Sequence, residues 1–149
     1  MVDSEIEDVM YNAGMNLRNN IVDNINSNIP PPNAPSTIRH KKSSHTLVDT
    51  GHMMDSVDVR RMSSDGSAAD IAVGIFDEGV ARYAIANEFG SSRMVTTYSE
   101  NEMHQGYSMI IIPERSFMRT AYDKNIDEIL DKAGKEIGEI MSRRFMEGK

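Results

Sequence analysis

Apolar positions form two long helical stripes, one at each end of the chain. The first stripe recurs every three or four residues, through Val2, Ile6, Val9, Met10, Ala13, Leu17, Ile21, Ile25 and Ile29. The second continues almost to the C-terminus, through Ile126, Ile129, Leu130, Ala133, Ile137, Ile140, Met141 and Phe145. This spacing places apolar side chains on one face of a helix. The pattern therefore predicts a long amphipathic helix at each terminus, the first of them ended by Pro30-Pro31-Pro32.

The segment between the stripes changes to a period of two. Residues 57–62 and 69–76 alternate, and the turn-forming run Ser63-Ser64-Asp65-Gly66-Ser67 separates them, which predicts an antiparallel hairpin. The Ile-rich run 107–112 predicts a third strand, whereas 91–106 is polar and has no clear period. Asp49 and Thr50 are good caps for a short helix that begins near Gly51.

Another helix is predicted from Val80 to Phe89, with Gly90 in the left-handed conformation that closes it. Pro113 is suited to the first turn of the C-terminal helix, and Glu114 to the positive end of its dipole. Phe89 and Phe117 are expected to be core anchors between helices and sheet. The fold class is α+β: a small antiparallel sheet packed against helices, with long N- and C-terminal amphipathic helices.

Length and composition favour a single soluble domain over residues 1–149. A chain of 149 residues can bury a core without crosslinks, and the absence of cysteine suits folding in a reducing cytoplasm. The longest apolar run, Met109 to Ile112, is far too short to span a bilayer, so no membrane contact is expected.

A long loop from Pro30 to Thr46 carries the basic run Arg39-His40-Lys41-Lys42. At this length we expect the loop to be mobile in the isolated protein and to reach a partner, with Arg39, Lys41 and Lys42 as candidate partner-binding residues. They would contact DNA phosphates or an acidic patch, although a short basic run is most often solvated. The net charge of −7 argues against a protein that grips nucleic acid.

Candidate chemistry is sparse. Asp49, His52 and Asp55 have a spacing that metal ligands sometimes use, but capping and solvation account for them better. The chain contains no nucleophile elbow, phosphate loop or dinucleotide turn. We therefore expect no enzyme activity, no catalytic residues, no metal and no cofactor.

Glu88 is unusual because a carboxylate in the last turn of a helix opposes the helix dipole. A compensating partner is expected, either within the chain at Arg82 or Arg115, or in a neighbouring subunit. Glu88 and Arg115 therefore join the candidate partner-binding residues.

Three segments occur in an informative order: Leu47-Val48-Asp49-Thr50-Gly51-His52-Met53-Met54-Asp55-Ser56-Val57, then Tyr83-Ala84-Ile85-Ala86-Asn87-Glu88-Phe89-Gly90, then Ile112-Pro113-Glu114-Arg115-Ser116-Phe117-Met118. The ordered set resembles the tail-completion and neck (head–tail joining) proteins of tailed bacteriophages. The resemblance covers Pro35 to Asp123. It implies a virion structural protein, assembled in the host bacterial cytoplasm, that forms a homo-oligomeric ring and joins the tail tube to the head connector.

The resemblance also implies how the parts are used. The sheet and the Tyr83–Gly90 helix would form the ring body, which uses one repeated heterologous interface. The basic loop and residues 91–106 would meet a connector or head-completion protein on one side and the tail tube or tail terminator on the other. DNA would pass without sequence-specific binding. The alternative is a cytoplasmic nucleic-acid-binding regulatory module that uses the basic loop, and a small hydrolase is a distant third.

Overall fold

The computed structural model describes residues 3–48, 51–62, 68–99 and 102–148. Within them lie five helices, α1 Ser4–Asn26, α2 Pro35–Lys41, α3 His52–Asp55, α4 Glu78–Phe89 and α5 Met118–Glu147. Four strands, β1 Val57–Arg61, β2 Ile71–Ile75, β3 Ser91–Ser99 and β4 Glu102–Ile112, form two separate two-stranded antiparallel sheets. The predicted α+β class with long terminal helices is confirmed.

The two terminal helices pack side by side in opposite directions. Arg143 and Arg144, near the end of α5, form ion pairs with Glu5 at the start of α1. At the opposite end, Asn24 Nδ2 donates to the Phe117 carbonyl over 2.8 Å. The first helix ends at Asn26, before the prolines, because Asn28 adopts a positive φ of 60° that leads the chain away.

The β1–β2 sheet packs on α1 and confirms the predicted hairpin, with Val57 opposite Ile75. Close approach requires glycine in the helix: a Cβ on Gly14 would lie 2.8 Å from Ile71 Cγ2 and 3.0 Å from Val59 Cγ1. The predicted turn at 63–67 and the caps at residues 49 and 50 lie outside the described residues. The main core lies beside this sheet, and its most deeply buried side chains are Phe117, Ile21, Ile25, Leu47 and Val57.

The β3–β4 hairpin was only partly predicted. Residues 91–99 form a strand that pairs along most of its length with β4, which begins at Glu102 rather than at Tyr107. No strand was predicted within residues 91–106, because that segment lacks a clear period, and this was wrong. Alternation arises when one face of a strand is buried, and the β3 residues whose side chains are described, 91–96, are exposed or half-buried.

The predicted loop over residues 30–46 contains a helix. Pro35 occupies one of the first two positions of α2, where its fixed φ favours a helical start, and Lys42 ends the helix with a φ of 56°. The prediction of an entirely irregular loop was therefore wrong. The mobility of this segment in solution stays a prediction.

Two further boundary predictions were wrong. The last helix begins at Met118, so Pro113 and Glu114 precede it by several residues. Gly90 has the expected positive φ of 72°, but its ψ of 160° is extended rather than left-handed helical. The site is tight, since a Cβ there would lie 3.0 Å from Glu114 N and 3.1 Å from the Ile112 carbonyl oxygen.

Candidate functional site

The carboxylate of Glu88 lies at the N-terminus of α5 and binds it through both oxygens. Oε2 accepts hydrogen bonds from the backbone N–H groups of Phe117 and Met118, each at 2.9 Å. Oε1 accepts from the Arg119 backbone N–H at 3.0 Å, from its Nε at 3.0 Å and from Ser116 Oγ at 2.8 Å. Phe117, the residue before α5, makes no capping hydrogen bond with its side chain. Glu88, near the end of α4, caps the helix instead.

This arrangement explains why an acidic residue is tolerated at the end of α4. The first N–H groups of a helix have no partner within the helix and carry the positive end of its dipole, so α5 stabilises the charge that α4 disfavours. Burial raises the pKa of Glu88, but the backbone donors of Met118 and Arg119 and the side chains of Ser116 and Arg119 outweigh it. The pKa of Glu88 therefore lies below its usual value.

The residue expected to compensate Glu88 was wrongly identified. Its ion-pair partner is Arg119 rather than Arg82 or Arg115. The geometry also does not support a contact between Glu88 and a neighbouring subunit, because the side chain is only 8% exposed and both oxygens are bound within the chain.

The two phenylalanines that were expected to be core anchors differ in burial. Phe117 is 1% exposed, which confirms it as a core anchor. The same expectation for Phe89 was wrong, since that ring is 57% exposed and lies 4.6 Å beneath the Arg119 guanidinium. Helical spacing alone could not tell the inner face of α4 from the face that carries Phe89.

Arg115 lies at the centre of a second set of contacts. Its backbone N–H donates to the Asn87 carbonyl at 2.7 Å, and its Nε donates to the Pro31 carbonyl at 2.8 Å. The residue is only 4% exposed, and this burial lowers the pKa of its guanidinium, against an opposing effect of Tyr83. The buried side chain holds the proline segment against α4, so a flat protein surface cannot contact it.

The basic residues in α2 and directly after it differ in how far they are exposed. Arg39 and Lys42 are exposed. Lys41 is half-buried and donates through Nζ to the His45 carbonyl at 3.1 Å. Of the five candidate partner-binding residues, Lys41 and Arg115 line a common cleft, whereas Glu88 belongs to the cap of α5.

The β3–β4 hairpin presents an apolar face that the sequence did not single out. Met94 lies opposite Met109 in the register, and Tyr107 and Ile111 follow on the same side of β4. These four side chains are 62–67% exposed. Beyond their mutual pairing, neither strand packs extensively on another helix or strand of the described chain. The clue available in the sequence was the two-residue spacing of Tyr107, Met109 and Ile111, but not their strand partner.

The described residues contain no group of three or more His, Cys, Asp or Glu side chains that could hold a metal ion. The triad considered for a metal is incomplete here, because Asp49 lies outside the described ranges. Across the same ranges, no helix is both long and apolar enough to cross a membrane.

Comparison of the chain with known protein families, with curated proteins and with solved structures finds no match.

Proposed function

We propose that the chain is a virion structural protein of a tailed bacteriophage, a tail-completion or neck component. It forms a ring at the junction between the tail tube and the head connector, and DNA passes through that ring. The observation that carries the proposal is the convergence of the three ordered sequence segments on one structural unit from which an apolar hairpin projects.

The convergence involves all three segments. Phe117, from the third, shares a core with Leu47, Met53 and Val57 from the first and with Ala84 from the second. The second and third segments are also joined by the bonds from residues 116–119 to Glu88. The three segments therefore form one physical framework, and this supports the proposal.

The framework holds the hairpin at both of its ends. The hairpin begins directly after Gly90, at the end of the second segment, and ends at Ile112, where the third begins. The bond from Arg115 N to the Asn87 carbonyl joins the two ends. A two-stranded hairpin is only marginally stable alone in water, so a held base and an uncovered apolar face favour a role as an assembly arm.

The size of the apolar face supports assembly that is weak between two copies and strong in a closed ring. Burying one large apolar side chain fully contributes about 1.5–3 kcal/mol. Four side chains about two-thirds exposed would then contribute about 4–8 kcal/mol, which is comparable with the roughly 4–15 kcal/mol lost on association. A pair of copies would be unstable, whereas a ring gives every copy two such contacts. The isolated chain is accordingly expected to assemble at high concentration or on a preformed tail or connector.

The test compares two lysine substitutions on adjacent residues of β4. Met109→Lys places a charge on the apolar face, and Ser108→Lys places the same charge on an exposed position of the opposite face. Sedimentation velocity from micromolar to millimolar protein, with electron microscopy of the same samples, measures ring formation. We expect rings from the wild type and Ser108→Lys, and monomers from Met109→Lys with an unchanged melting temperature.

Two results would count against the proposal. Equal assembly of Met109→Lys and the wild type would remove the hairpin face from the interface. A wild-type chain that stays monomeric at millimolar concentration, and that also fails to bind purified phage tails and connectors, would remove the ring itself.

A further inference from the structure

A cleft of about 500 Å3 lies between α2, α4 and the base of β4. Its lining includes the basic side chains His40, Lys41 and Arg115, together with the apolar Ile112 and the ring of Tyr83. Among the described residues, no Asp or Glu lines it. The cleft therefore combines positive charge with apolar walls.

Arg115 is a buried cation without a carboxylate partner among the described residues. Its guanidinium donates to neutral acceptors: the Pro31 carbonyl at 2.8 Å, and the Pro32 carbonyl and Asn33 Oδ1 at 3.4 Å each. The two longer bonds are weak. Buried charges in proteins are normally paired, so this guanidinium retains capacity for an anion.

Thr46 provides a second and independent observation. It lines the same cleft and is 4% exposed, yet within the described ranges its hydroxyl oxygen has no hydrogen-bond partner. Nδ1 of the preceding His45 is also buried and unpaired. Buried polar atoms without partners are uncommon in native proteins, and the Thr46 hydroxyl, which belongs to the lining of the cleft, indicates a missing polar ligand there.

We propose that this cleft binds a carboxylate carried by an acidic peptide segment of a partner protein. A guanidinium fork matches a carboxylate in shape and charge, and the Lys41 ammonium adds a second cation at the same cleft. Tyr83 and Ile112 would contact apolar side chains that flank the carboxylate. The inference goes beyond ring formation, because the cleft lies within one chain, and it shares only Ile111 with the apolar hairpin face.

An acidic peptide fits these observations better than the phosphates of DNA. Arg115 is almost inaccessible from the surface, so a single extended side chain can approach it more closely than a rigid duplex can. The net charge of −7 also repels a polyanion far more than it repels one carboxylate.

The test uses a capped hexapeptide of alternating Glu and Leu, its counterpart with Gln in place of Glu, inorganic phosphate and a short DNA duplex. Backbone amide chemical shifts of the full chain are followed by NMR during each titration. We expect the Glu peptide to bind with signals near Thr46 and Arg115 shifting, and the Gln peptide to bind at least about tenfold more weakly.

Two variants locate the site without disrupting the fold. Lys41→Gln keeps a donor for the His45 carbonyl, and Thr46→Val removes only the unpaired hydroxyl. Each should weaken binding of the Glu peptide by about tenfold, while the control Lys124→Gln, an exposed lysine on α5, leaves it unchanged.

Three outcomes would overturn the inference: no shifts with the Glu peptide at millimolar concentration, equal binding of the Gln peptide, or equal loss in the Lys124→Gln control. Binding of the duplex alone would assign the cleft to nucleic acid instead. Binding of phosphate alone would reduce the cleft to a site for small anions.

Discussion

Replacing Glu88 by glutamine should destabilise the protein strongly although the side chain barely changes shape. Oε2 accepts from Phe117 N and Met118 N, while Oε1 accepts from Ser116 Oγ and from two nitrogens of Arg119. Glutamine keeps one acceptor oxygen and turns the other into an NH2 donor. In either orientation of the amide, at least two donors lose their acceptor and face another donor.

The expected loss follows from the number of disrupted bonds. A buried donor without a partner costs about 1–3 kcal/mol, and removal of one member of a buried charged network costs about 3–5 kcal/mol. The half-exposed Arg119 ion pair adds little to this sum because it is screened by solvent. We therefore expect a loss of about 3–5 kcal/mol from a total that is typically about 5–15 kcal/mol, and a fall in melting temperature of about 10 °C.

The effect should depend on pH with a defined sign. Because the folded pKa of Glu88 is lowered, its carboxylate contributes stability that is fully present above the unfolded pKa. That contribution is lost as the pH falls through the folded value. The difference in unfolding free energy between wild type and Glu88→Gln should thus be constant near neutrality and shrink in acid.

Urea denaturation followed by circular dichroism, repeated from neutral pH into acid, measures both quantities. Glu78→Gln is the matched control, because Glu78 is on the same helix but its side chain is almost fully exposed. It should change stability by less than about 0.5 kcal/mol. A Glu88→Gln protein as stable as this control, or a deficit that does not shrink in acid, would refute the capping role.

Phe117→Ala should reduce the free energy of unfolding by about 3–5 kcal/mol, whereas Phe89→Ala should reduce it by less than about 1 kcal/mol, because only the Phe117 ring is buried. Equal melting temperatures of the two variants would contradict this. Gly14→Ala should destabilise by about 1–3 kcal/mol through its clash with the first sheet, while Gly134→Ala, with open space around it, should stabilise by up to about 1 kcal/mol in the same melts. Trypsin should cut the basic run at residues 39–42 faster in Arg115→Lys than in the wild type, because the substitution weakens the bond from residue 115 to the Pro31 carbonyl. Equal cleavage rates would show that Arg115 does not restrain the segment that carries the basic run.

The spacing of apolar residues predicted the two terminal helices and the first hairpin correctly. The stripes of α1 and α5 and the alternation of β1 are visible in the sequence because one face of each element is buried. The start of α5 was misplaced because its cap comes from Glu88, about thirty residues earlier in the chain. Propensity rules assume that a helix is capped by its neighbours in sequence, and this one is not.

The candidate sites were harder to predict because they depend on contacts between distant segments. The apolar face of the hairpin requires knowing that Met94 lies opposite Met109, and the cleft requires that α2 lie beside Arg115. The sequence did identify Lys41 and Arg115 as residues of interest. It could not indicate that they share a cleft, or that Thr46 completes its wall.

The conformation of Gly90 sets the direction in which the β3–β4 hairpin leaves α4. The backbone leaves α4 through one residue with a φ of 72°, packed closely enough against Ile112 and Glu114 that a Cβ would be crowded. Strand β3 then extends for nine residues, or about 30 Å. Met94, on the apolar face, lies four residues beyond Gly90, or about 14 Å along the strand. A rotation of about 5° at the base would displace it by about 1.2 Å, a large fraction of the roughly 4 Å within which apolar side chains must meet. The angular accuracy of any assembly built through the hairpin is therefore set at its base, by a residue that is not itself part of the apolar face.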